Sequence, residues 1–246
     1  MGLAAAYFKE VKAVVDRIER GQMPGILAAA DRVVQTWQSG RKSYIFGCSH
    51  AGIVASEGVY RAGGLSILNL LHAPGLNTEV RPLTLTSDME KLDGYGAALI
   101  DRNGLESGDT LIIHSVSGRN NVPVDMALRA RELGIYLICI VNLTYSQQVT
   151  SRHPSGKRLF ELCDLILDNC GCVGDAAVSV PGSPLMVSPT STVSGALIVN
   201  AIAAAATERF SELGVPVPVF MSANLDGSSD VNRDMLAQYR NFITYL

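Results

Sequence analysis

Short unbroken apolar runs recur along the chain at residues 43–47, 65–70, 110–114, 135–141 and 164–167. Runs of that length without polar alternation are what parallel strands covered on both faces require. Between them the apolar residues return at helical spacing. Tyr7, Val11, Val14, Val15 and Ile18 share one face as far as Gly21. From Pro24 onwards Ile26, Leu27, Ala30, Val33, Val34 and Trp37 form a second stripe, ending at Ser39-Gly40. Glycine and proline at these positions predict two helices in residues 1–40. Further helices are expected up to Arg61 and over 88–101, 122–133, 157–162, 190–213 and 231–246, several of them closed by glycine.

Strands alternating with helices predict an α/β fold: one doubly wound domain, in three α-β-α layers around a five-stranded parallel sheet. Residues 41–246 would form that domain. Residues 1–40 would be a helical extension whose apolar stripe packs on the chain's own core or on a second subunit. Three segments do not read as regular structure. Residues 77–87 are irregular, 142–153 read as a loop or frayed helix, and 168–189 are rich in glycine, proline and serine. The last is too long for a connector and is expected to line something.

Composition narrows the function. Nearly half of the 246 residues are apolar, and the formal net charge is -3. A globular protein follows, with no electrostatic case for nucleic acid or an anionic membrane. Residues 196–206 are very apolar but too short to span a bilayer. The five cysteines are odd in number, and Cys139 and Cys163 sit in apolar runs, so free thiols in a cytoplasmic protein are expected. Cys170 and Cys172 lack metal-site spacing, so neither a metal nor another cofactor is expected.

Three hydroxyl-rich segments precede helices. They are Gly47-Cys48-Ser49-His50, Ser115-Val116-Ser117-Gly118-Arg119-Asn120 and Ser188-Pro189-Thr190-Ser191-Thr192. Free backbone N–H groups at a helix start, with hydroxyls beside them, bind anions. Neither a GxxxxGK[ST] loop nor a GxGxxG fingerprint is present, which disfavours nucleotides. Glu57 follows His50 by two helical turns, on the same face, and Arg61 follows Glu57 as a possible i,i+4 partner. His50 and His153 are acid–base candidates, while His72 and His114, in or beside apolar runs, read as structural. Asp168 and Asp175 border the polar segment, for sugar hydroxyls or for turn formation.

These loops resemble the phosphosugar-binding loops of the SIS (sugar isomerase) fold. The strings Tyr60-Arg61-Ala62-Gly63-Gly64, SGRNNVP from Ser117, SRHPSGK from Ser151 and SANLDG from Ser222 are similar to one bacterial branch of sugar isomerase domain proteins, related to phosphoheptose isomerase. The resemblance implies a flavodoxin-like parallel sheet and a sugar-phosphate or amino-sugar-phosphate ligand. It also implies association into homodimers or homotetramers. Ser49, Ser115, Ser117, Arg119, Asn120, Ser191 and Thr192 would hold the phosphate. Glu57 would act as the base of an aldose–ketose isomerase, with His50 or His153 at the ring or carbonyl oxygen. An amino-sugar-phosphate lyase or etherase, and a non-catalytic sugar-phosphate sensor, are the other readings. One departure stands out. The branch carries Gly-His-Ser in its first loop, whereas this chain has Ser49-His50-Ala51.

Overall fold

The computed structural model describes residues 2–246. Five parallel strands form its central sheet: β1 (Ser43–Gly47), β2 (Leu68–Leu70), β3 (Thr110–His114), β4 (Tyr136–Val141) and β5 (Leu165–Asp168). They lie in the flavodoxin-like order β2-β1-β3-β4-β5, with Tyr44 beside Leu111 and Leu111 beside Leu137 at the centre. Each strand falls on an apolar run of the sequence. β2 is three residues shorter than its run, because Leu65 turns away to bridge Val219.

Among the described residues eight α-helices surround the sheet: α1 (Leu3–Gln38), α2 (His50–Glu57), α3 (Leu85–Met89), α4 (Tyr95–Arg102), α5 (Asn121–Leu133), α6 (Leu143–Gln148), α7 (Ser191–Glu212) and α8 (Ser228–Tyr239). Strand side chains alternate between two cores. Ile45, Ile112, Ile138 and Ile140 join Val33, Val54, Ile198 and Phe210 of α1, α2 and α7. Phe46, Leu111, Ile113, Leu137 and Cys139 join Leu99, Val122 and Met126 of α4 and α5. Each such fully buried side chain contributes about 1.5–3 kcal/mol, so the sheet is held from both faces.

The N-terminal region is one helix of 36 residues, not two, with Pro24 inside it. Proline costs about 3 kcal/mol in a helix interior, so something must offset it. The buried residues Val14, Ile18, Ile26, Ala29, Ala30, Val33 and Val34 keep a single phase across Gly21 and Pro24. One continuous face therefore packs along α7 and reaches β5. A methyl group on Gly25 would stand 2.7 Å from Leu167, so the small residue marks a close crossing instead of a helix end. Trp37 sits edge-on to Phe210 with ring centroids 4.9 Å apart. Within the chain, Val14, Ile18, Ile26, Val33 and Val34 of this stripe lie in its own core.

Two further expectations change. The helix expected over 88–101 is split by Gly94, whose φ of 76° breaks the helical path between α3 and α4. Within the segment 168–189 lies an antiparallel hairpin, β6 (Ala176–Ser179) with β7 (Met186–Pro189), packed against α1. At the outer edge of the sheet Asn69, fully buried, donates to the carbonyls of Ser43 and Phe242 and accepts from the Thr244 N–H at 2.8 Å. These bonds tie the C-terminal residues to the β1–β2 end of the sheet.

Candidate functional site

Strand order reverses between β1 and β3, and the loops leaving their carboxyl ends flank that point. Ligands of open parallel sheets bind there. The first loop is a tight turn in which the Ala51 N–H donates to the Cys48 carbonyl at 3.0 Å. Ser49 has φ 53° and ψ -122°, the second position of a type II′ turn, where glycine is favoured and a side chain is strained. The Ser49 N–H is held by the Leu76 carbonyl at 2.6 Å, while its hydroxyl is only 3.4 Å from His50 Nδ1. Set against Gly-His-Ser, this chain carries its serine at the glycine position of the turn. His50 itself is exposed.

The second loop is braced from outside through its carbonyls. Ser146 donates to the Ser117 carbonyl, the Leu159 N–H to Gly118 and the Arg152 N–H to Arg119, all at 2.8 or 2.9 Å. Gly118 has φ 59°, a left-handed conformation that turns the N–H groups the other way. Among the described residues, none of the N–H groups of residues 116–120 bonds to another part of the chain. The hydroxyls of Ser115 and Ser117 are likewise not donated to the protein. Arg119 donates to Thr150 Oγ1 at 3.2 Å, makes no ion pair among the described residues, and has a buried Nε without a partner. Its charge is uncompensated beside the N-terminus of α5, whose dipole adds to the attraction for an anion. Asn120 differs from the expectation. Its Oδ1 accepts from Arg152 at 2.9 Å, and its side chain also hydrogen-bonds Glu90, so it organises the loop.

The third loop is already filled by the chain itself. Asp175 Oδ1 accepts from the N–H groups of Thr190 (3.1 Å) and Ser191 (2.8 Å), and its Oδ2 accepts from the Ser191 hydroxyl (2.6 Å). Ser191, expected at the phosphate, here has its N–H and hydroxyl taken up by the Asp175 carboxylate at the start of α7, a charge that repels a second anion. The hairpin brings it there, with Asp175 at φ 70° and Ser188 at φ 68°. Thr192, half-buried on the first turn of α7, stands next to the same charge. His114 lies beneath, buried, its pKa pushed down to about 4 by burial, so it stays neutral and structural.

The acid–base candidates part company. Glu57 is paired with Arg61, the i,i+4 arrangement open in the sequence, at the C-terminal end of α2. His153 has both ring nitrogens engaged. The Ser155 N–H donates to Nδ1 at 3.0 Å, which places the ring proton on Nε2, 2.8 Å from Asp125 Oδ1. Both side chains of that pair are 10% exposed. His72, read as structural, is in fact exposed, between buried Leu71 and Ala73. Among the described residues, no three His, Cys, Asp or Glu side chains gather as a metal site would need.

Sequence reasoning missed Glu90, which lies in the turn after α3 and not inside a longer helix. Its carbonyl accepts the Val122 N–H at 3.1 Å, and its carboxyl neighbours Asn120, Arg152 and, across the crevice, Cys48. Burial raises its pKa from 4.5, opposed by the hydrogen bond of Asn120 and the charges of Arg152 and Lys91. The stability that Glu90 contributes as the neutral acid is fully present below 4.5 and is lost as pH rises through the raised value. Glu90→Gln, neutral throughout, should therefore melt higher than the parent at pH 7 and converge with it near pH 4; thermal melts across that range check the sign.

The chain's relatives agree with this architecture. Residues 6–142, from α1 through β4, match the SIS domain family model. A UPF0309 protein from Shouchella clausii is 48% identical over 218 residues, 89% of each chain. Another from Oceanobacillus iheyensis is 43% identical over 240 residues, 98% of each. Among solved structures, a phosphoheptose isomerase from Francisella tularensis has a similar fold, with TM-score 0.57 over 83% of this chain and 96% of its own, at 15% identity. Because the family match runs through both strands and both loops that form the crevice, the chain belongs to the SIS domain family.

Proposed function

We propose that the chain binds the phosphate of a phosphorylated sugar in the crevice between β1 and β3, and interconverts the aldose and ketose forms. One observation carries the binding: the unbonded N–H groups of residues 116–120, with the hydroxyls of Ser115 and Ser117 and the unpaired cation of Arg119, all at the switch point. Ser49 completes the cradle from the other loop. The family, and the solved phosphoheptose isomerase of similar fold, support a sugar as the rest of the ligand.

For the reaction, Glu57 takes the proton from the carbon next to the carbonyl and returns it to the neighbouring carbon. His50, two turns earlier on α2, serves the oxygen. Arg61 pairs with Glu57 and must yield it as the substrate enters. A sugar-phosphate sensor is the second reading, and it is favoured by the engaged state of both Glu57 and His153.

A thermal-shift panel of aldose, ketose and amino-sugar phosphates tests the binding. A ligand at a hundred times its Kd should stabilise the chain by about 2.7 kcal/mol. No response to any member beyond that to inorganic phosphate would sink the sugar reading. Product analysis on the tightest ligand then separates an isomer, an eliminated acid and no conversion.

A further inference from the structure

A cleft of about 390 Å3 opens beside the crevice, between α2 and the segment that follows β2. One wall is Ser49, Gly52, Ile53 and Ser56, the face of α2 adjoining Glu57; the other includes His72, Leu76 and Glu79. Its volume falls within the ~300–1,000 Å3 of small-molecule sites. The cleft begins at Gly47 and Ser49, which belong to the first loop, so a ligand held there by its phosphate extends into it without crossing a side chain. Gly52 lets α2 sit close on the end of β1 at this corner: a methyl on it would stand 2.9 Å from the Gly47 carbonyl oxygen.

The lining is chemically one-sided. It holds a carboxylate, an imidazole and several hydroxyl or amide groups over an apolar floor of Ile53, Leu71 and Leu76, with no Lys or Arg. Glu79 therefore disfavours a phosphate at its own end of the cleft, while the unpaired cation of Arg119 attracts one at the β3 loop. A neutral chain of carbons bearing hydroxyls suits the remaining space. Hydroxyl groups donate to a carboxylate and exchange hydrogen bonds with an imidazole, and the C–H face covers the apolar floor.

We propose that this cleft receives the carbohydrate body of the ligand and that His72 and Glu79 are its specificity-determining residues. The proposal rests on phosphate binding in the neighbouring crevice. It assigns the selection of the sugar to the segment after β2, which the phosphate loops do not include. Both side chains are exposed, so their replacement leaves the core intact.

The test is calorimetric titration of the full chain with inorganic phosphate, ribulose 5-phosphate, fructose 6-phosphate and glucosamine 6-phosphate. The parent should bind at least one of the sugar phosphates more tightly than inorganic phosphate. His72→Ala and Glu79→Gln should each raise the Kd for that sugar phosphate about tenfold, while the Kd for inorganic phosphate changes by less than about twofold. If both variants keep the parent's sugar-phosphate affinity, or lose both ligands in parallel, the cleft is not the sugar subsite. If inorganic phosphate binds the parent as tightly as every sugar phosphate does, the cleft adds nothing and the proposal fails. If no phosphate ligand binds the parent, the reading of the crevice itself falls, and this proposal with it.

Discussion

Replacing His153 by alanine is expected to lower the melting temperature by about 10 °C, through a loss of roughly 3–5 kcal/mol. The cost comes from Asp125. This carboxylate, 10% exposed on the first turns of α5, has one oxygen bonded to His153 and the other already without a partner. Alanine leaves both oxygens buried and uncompensated. His153→Gln, whose amide still reaches Asp125, should recover most of the loss. The damage also spreads to the site, because His153 anchors the segment whose Arg152 binds Asn120 and the Arg119 carbonyl. Phosphosugar affinity should fall with the melting temperature and return with glutamine. If His153→Ala instead abolished turnover at an unchanged melting temperature, the ring would belong to the reaction, as its place in a polar loop first suggests.

That contrast shows what the residue order carries and what it hides. The five strands are readable because each is apolar on both faces, a property of neighbouring residues. The two loops at the switch point are readable for a related reason, since strand, turn and helix start follow one another directly. Gly21 and Pro24 mislead because a local breaker is judged locally, whereas the phase of the stripe from Val14 to Val34, set by the crossing with α7, decides the matter. Asp175 is harder still. Nothing near it in sequence indicates that a hairpin will return it to Thr190 and Ser191. Glu90 meets Cys48 and Arg152 only through tertiary packing. His72, read as structural but exposed, is the recoverable misreading. Buried Leu71 and Ala73 on either side imply an outward side chain at the position between them.

The largest effect on binding is expected from the smallest side chain. A methyl on Gly47 would overlap the Ala51 carbonyl oxygen, so Gly47→Ala must open the turn that carries Ser49. Overpacking against backbone costs about 1–3 kcal/mol in stability. The functional loss should be greater. Displacing two donors of this turn, the Ser49 hydroxyl and the His50 N–H, unbonded among the described residues, at roughly 1.5 kcal/mol each, weakens phosphate binding about a hundredfold. Ser49→Gly acts on the same turn in the opposite sense. Glycine relaxes a φ of 53° that strains any other residue, and should gain about 1 kcal/mol. It also removes a hydroxyl whose one partner within the described residues is His50 Nδ1, at a long 3.4 Å, which should cost about tenfold in phosphosugar affinity. Melting and titration of the two variants therefore separate stability from binding: one loses both, the other trades the second for the first. A strained serine that persists where glycine would be more stable is explained by a contact outside the chain. A Ser49→Gly protein with higher stability and undiminished affinity would remove that explanation, and with it the part of the first loop in holding phosphate.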